Sequence, residues 1–371
     1  MPNTRPVRAR RLEVCLLAVA VVFLVACGAS TTATAVAPSP TSLPPTAVPA
    51  APTVPPASPT VAAPPPTMTS APPSPTSAQP TAAPSPTAAP SPTVGRKLNV
   101  LATTTHIQDF VRNVGGDRVT AVSILGPEAD PHDYQPIAED ARKFAAADVV
   151  FYNGIGLEGQ WGPALLKNTK QGAIVVELPK AAGIKVEEGD EEEPEGDPHV
   201  WQDPTNVRKM VGVIRDTLAK ADAADTAIFQ ANAAAYDRQL DELDREIEGQ
   251  IKTIPPAQRK LVTNHDAFGY YVKRYGLTFV GSVIPSLSSE AEPSAGEVQK
   301  LVAAIKAEGV KAIYTETNLN PRLEKQIAEQ AGVKVFSDLY GDALGPPGSD
   351  GDTYIKAMRH NTKAIVEGLK G

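Results

Sequence analysis

The sequence predicts an α/β protein of two lobes, each a four-stranded parallel sheet with flanking helices, joined by one long rigid helix. Three observations predict it. From Lys97 onward, short Val/Ile-rich runs alternate with helix-like segments, the pattern of parallel α/β structure. The runs fall into two groups of four. Between the groups, over Asp225 to Ile254, apolar residues recur at intervals of three and four, which is one stripe on one helix.

The chain opens with Arg5, Arg8, Arg10 and Arg11, followed by an apolar run from Val14 to Ala26 that is too short to span a membrane comfortably. Residues 1–26 therefore read as a signal peptide. The run ends in Leu24-Val25-Ala26-Cys27, which resembles the lipobox of bacterial lipoproteins and implies that Cys27 is acylated and becomes the first mature residue. Cys15, the other cysteine, lies in the removed segment, so no thiol remains for a disulfide, a metal or thiolate catalysis. Residues 28–94 are almost wholly Ala, Pro, Ser, Thr and Val, with no charged residue. Such a composition buries no core, and its prolines favour an extended chain with a reach of up to about 200 Å, so 27–96 reads as a tether. Removing 1–26, with its four Arg and one Glu, takes the formal net charge from −7 to −10, which argues against nucleic acid as a partner. Beyond the signal there is no apolar run of about 18 residues, so the body is expected at the extracytoplasmic face of a membrane, held there by lipid.

The first lobe, 97–224, takes its strands from Asn99 to Thr104, Val119 to Ile124, Val149 to Asn153 and Ala173 to Glu177. In the linking helix, 225–254, Tyr236, Leu240, Leu243, Ile247, Ile251 and Ile254 form the stripe. Asp241, Glu242, Asp244, Arg245 and Glu246 take the wet side, and Pro255-Pro256 ends the helix. The second lobe, 255–371, takes Lys260 to Thr263, Thr278 to Ile284, Ala312 to Thr315 and Val333 to Phe336 as strands.

Two of the five histidines directly follow Asp-Pro, at Asp130-Pro131-His132 and Asp197-Pro198-His199. Proline fixes its own φ, lacks an N–H and pushes the residue before it toward extended geometry, so neither histidine sits inside a helix. His132 follows a strand end, and His265 follows another in "LVTNHDAFGYY". Loops at strand ends are where ligands bind in parallel α/β lobes. The acidic loop "VFSDLYGDALG" offers Asp338 and Asp342. Three imidazoles and one carboxylate suit Zn²⁺. His106, after the first strand, is a candidate for lining the cleft, whereas His360 falls within a C-terminal helix and reads as a packing or surface residue.

"DPHDYQP", "NGIGLEGQW", "DPHVWQDP", "NHDAFGYY", "PSLSSEAEPSAGEV" and "LYGDALG" occur in order between Lys97 and Gly371. This series resembles the zinc/manganese solute-binding proteins of ABC importers. The resemblance implies His132, His199, His265 and Asp342 as metal ligands and an ABC permease as partner. It further implies a monomer that captures and delivers an ion without catalysis. In the manganese-selective branch a glutamate usually stands at the position of His265, so the third imidazole favours Zn²⁺, with Mn²⁺ the alternative. Relatives of the zinc type often carry a histidine-rich loop where this chain has the Glu/Asp run Glu187 to Asp197, which reads as a solvated insert or a weak cation collector. A zinc hydrolase would need an open ligand position and a general base, and there is no H-E-x-x-H. A tethered adhesin would leave the convergent ligands unexplained.

Overall fold

The computed structural model describes residues 96–186, 195–284 and 292–371. The expected signal peptide, Cys27 and nearly all of the tether lie outside the described residues, as do 187–194 of the acidic run and 285–291 of the serine-rich motif.

In the first lobe β1 (Leu98–Ala102), α1 (Thr105–Gly115), β2 (Val119–Ser123), α2 (Ala138–Ala146), β3 (Val149–Tyr152), α3 (Trp161–Leu166), β4 (Ile174–Glu177) and α4 (Leu178–Ala181) alternate along the chain. Helices α5 (Pro204–Ala221) and α6 (Thr226–Lys252) then lead to the second lobe. There β5 (Lys260–Thr263), α7 (Gly269–Tyr275), β6 (Thr278–Ser282), α8 (Ala295–Glu308), β7 (Ala312–Glu316), α9 (Arg322–Ala331), β8 (Lys334–Leu339) and α10 (Tyr354–Lys370) repeat the alternation. Both sheets are parallel, with orders β2-β1-β3-β4 and β6-β5-β7-β8. The order reverses between β1 and β3, and again between β5 and β7, which opens a crevice at the carboxyl ends of those strands.

Several strand ends differ from the sequence expectation. β1 stops at Ala102 because the Thr104 side chain accepts the Ile107 N–H and caps α1. β7 runs one residue further, to Glu316, and is buried at every position although that residue is charged. β8 extends to Leu339, past Phe336.

Helix α6 is 27 residues long, about 40 Å. Its stripe of Phe229, Ala233, Tyr236, Leu240, Leu243, Ile247 and Ile251 is buried against α1, α5 and α10. One hydrophobic core therefore runs from Val100 in the first sheet through α6 to Leu369 in α10. The acidic face is less wet than the sequence implies. Arg208 of α5 grips Asp237 at 2.7 Å and Asp241 at 3.1 Å, and Arg359 of α10 grips Glu246 at 2.7 Å. Asp244 receives Arg274 Nε and the Tyr275 hydroxyl, each at 3.0 Å. These carboxylates fasten both lobes to the helix, which is why they follow the stripe so closely.

Candidate metal centre

The two Asp-Pro-His segments are built alike. The Asp130 carboxylate accepts the His132 backbone N–H at 2.8 Å, and the Asp197 carboxylate accepts that of His199 at 2.9 Å. These are local turns closed by a side chain. In each, a donor from elsewhere pins the proline carbonyl: Trp161 Nε1 holds Pro131 O at 2.7 Å, and Asn153 Nδ2 holds Pro198 O at 3.0 Å. Asn153 is itself held by the loop that follows it, which folds around the buried Glu158 carboxylate. That carboxylate accepts Asn153 N at 2.7 Å, Gly154 N at 2.8 Å and Thr103 Oγ1 at 2.7 Å. Closing the loop this tightly leaves Ile155, a β-branched residue, at φ 54°.

His265 follows β5, and Asp342 lies three residues past β8. The loop carrying Asp342 comes close to Glu316 at the end of β7. A Cβ on Gly341 would stand 2.1 Å from Glu316 Oε2, so any side chain there would have to displace that carboxylate. That oxygen accepts the Asp342 N–H at 2.9 Å.

Ligand-type atoms of His132, His199, His265 and Asp342 all lie within 4.8 Å of one another. His132 Nε2 is 3.4 Å from both His199 Nε2 and Asp342 Oδ2. His199 Nε2 is 3.4 Å from Asp342 Oδ1, and His265 Nε2 is 3.1 Å from Asp342 Oδ2. A tetrahedral ion with bonds of about 2.0–2.1 Å has ligand–ligand edges of about 3.3–3.4 Å. The three rings stand nearly equidistant, with centroids 5.4, 5.8 and 5.5 Å apart. His265 Nε2 and Asp342 Oδ1 are among the buried polar atoms with no hydrogen bond. A shared cation would satisfy them.

Carboxylates also stand behind two of the rings. Asp197 Oδ1 lies 2.8 Å from His199 Nδ1, and Glu316 Oε1 lies 2.9 Å from His265 Nδ1. A proton on each Nδ1 leaves the inward Nε2 lone pair free for a metal. Burial opposes charge on His199, but Asp197 and Asp342 outweigh it and push its imidazole up to about 10. His265 is likewise buried, and Asp342 and Glu316 hold it well above the ordinary histidine value. The Asp342 carboxyl is buried too, yet the imidazoles keep it well below its ordinary range.

The remaining candidates stand outside the quartet, His106 beside it and Asp338 away from it. Asp338 points off β8 and pairs with His360 Nε2 at 3.2 Å, away from the quartet. His106 is buried and stacked on Trp201, with ring centroids 5.0 Å apart, and burial lowers its pKa to about 3. Asn153 and Trp161 bound the motif "NGIGLEGQW" without a role read for them, and Glu316 was not singled out. For Glu316 the available signal was a carboxylate ending a fully buried strand.

Residues 100–368 match the family model described as ZnuA, zinc-uptake complex component A periplasmic. The manganese-binding lipoprotein MntA of Halalkalibacterium halodurans is 34% identical over 275 residues, 74% of this chain and 89% of that relative. The manganese ABC transporter substrate-binding lipoprotein PsaA of Streptococcus anginosus is 30% identical over 280 residues, 74% of this chain and 90% of PsaA. Among solved structures, the periplasmic zinc binding protein TroA from Treponema pallidum superposes with a TM-score of 0.69 at 30% identity, over 74% of this chain and 99% of TroA. A Mn-bound mutant form of a periplasmic metal binding protein from Candidatus Liberibacter asiaticus superposes with a TM-score of 0.68 at 25% identity, over 74% and 100%.

Proposed function

The chain belongs to the ZnuA family of zinc-uptake components, and from this premise we propose that it captures Zn²⁺ between its lobes and delivers it to an ABC permease. It is a metal-binding substrate-binding protein of an ABC transporter, acting outside the cytoplasm. In our reading His132, His199, His265 and Asp342 hold the ion. The observation that carries it is the convergence of three imidazole nitrogens on one buried carboxylate, with close approaches of 3.1 to 3.4 Å and all ligand atoms within 4.8 Å of one another, a donor set that suits a small tetrahedral cation. Four protein ligands leave no open position for water, so the bound ion is cargo and the protein is not an enzyme. Further parts of the reading are an anchor of lipid on Cys27 and a monomeric state.

Manganese is the second reading, because two of the relatives above are named for that metal. Metal analysis of protein purified without added metal, followed by competition between Zn²⁺ and Mn²⁺, separates the two. We expect one zinc per chain that excess Mn²⁺ does not displace. Manganese retained in the presence of zinc would reverse the assignment. Replacing His132 or His199 with Ala should abolish tight binding, and His360→Ala should leave it intact.

A further inference from the structure

One residue of the second lobe is gripped at both ends by the first. Tyr354 opens α10 and is fully buried. Its backbone N–H is one of those that the first turn of a helix leaves without an acceptor. It donates to Asp109 Oδ2 of α1 at 3.1 Å. The Tyr354 hydroxyl, at the other end of the side chain, donates to the carbonyl of Trp201 at 2.7 Å. Between these two bonds the ring meets Phe110 of α1 edge-on, with centroids 5.2 Å apart. The same Asp109 oxygen also accepts the Tyr236 hydroxyl of α6 at 3.3 Å. Asp109 thus stands where the first lobe, the linking helix and the second lobe meet.

Trp201 extends this run of contacts to the metal centre. Its indole N–H crosses back to the second lobe and donates to Gly341 O at 2.9 Å, one residue before Asp342. Its ring lies edge-on to His199, with centroids 5.4 Å apart. Drawing the segments bearing His132 and His199 away from those bearing His265 and Asp342 takes the quartet apart. Both hydrogen bonds of Tyr354 span that same division.

We propose that Tyr354 is the pin of lobe closure, a positioning residue that touches no ion but sets how fast the ion leaves. The proposal rests on the cleft being the metal site. Opening must break the Tyr354 hydroxyl bond to Trp201 and loosen the Asp109 bond before Asp342 can withdraw from His199. Removing either bond lowers the barrier to opening and leaves the ligand geometry in place.

The test measures Zn²⁺ release from the full-length protein into excess chromogenic chelator by stopped flow, with the Co²⁺ absorption spectrum reporting coordination. Tyr354→Phe removes the hydroxyl and keeps the ring. The matched control is Tyr271→Phe, since the fully buried Tyr271 bonds Thr362 at 2.9 Å wholly within the second lobe. We expect Tyr354→Phe to release zinc about tenfold faster, equivalent to about 1.4 kcal/mol, with an unchanged Co²⁺ spectrum. Tyr271→Phe should lower the melting temperature and leave the release rate alone. Should Tyr354→Phe fail to fold, Asp109→Ala, which removes the acceptor of the Tyr354 N–H, is expected to speed release at least threefold. Release at the wild-type rate in whichever of the two variants folds, or equal acceleration by Tyr271→Phe, overturns the pin. A wild-type protein that binds neither Zn²⁺ nor Co²⁺ overturns the metal reading beneath it.

Discussion

At the scale of single residues, the proposed centre sets protons against a dication for the same imidazole nitrogens. His199, pushed up to about 10, and His265, held well above its ordinary value, must each shed a proton before Nε2 ligates. The sign follows directly: below about pH 10 metal binding releases protons, so affinity rises with pH through neutrality and falls steeply from pH 7 toward pH 5. Calorimetry in buffers of differing ionisation enthalpy should count more than one proton released per zinc at pH 7, and a count near zero would remove the imidazoles from the site. His265→Glu exchanges nitrogen for harder oxygen and should shift preference toward Mn²⁺, read as a changed ratio of the two dissociation constants. The repeated Asp-Pro-His made two of these positions legible in the sequence, because proline imposes its geometry locally. Nothing local announced Tyr354, whose role comes from what lies opposite it, and pairing across lobes leaves no spacing to read.

Among the elements, the strands were legible as short apolar runs and the long helix as a periodic stripe. The α6 stripe from Tyr236 to Ile251 is buried as its spacing predicts. Ends were less legible, since a capping side chain such as Thr104, or a strand prolonged to place a charge such as Glu316, decides them. Asp203 shows how much one end matters. Its carboxylate accepts the Thr205 N–H at 2.7 Å and caps α5 four residues after His199. Asp203→Ala should cost about 1 kcal/mol of stability, measured as a lower urea midpoint of the metal-free protein with little change in the slope.

For the whole molecule, the shared core and the salt bridges onto α6 tie both lobes to one long helix. In our proposal a lipid on Cys27 would keep the body at the membrane surface where its permease lies. Cys27→Ser should release the protein from the membrane fraction without altering zinc affinity. Continued fractionation with membranes would remove the lipid anchor from the account.

The four residues of the centre come from four loops, each more than sixty residues from the next along the chain. An unfolded chain would have to close three long loops at once to gather them, and every closure carries an entropy penalty. The polypeptide is therefore a poor chelator until both sheets are built and docked. A chain threaded unfolded through a membrane would cross without cargo, and would load only with metal found on the side where folding finishes.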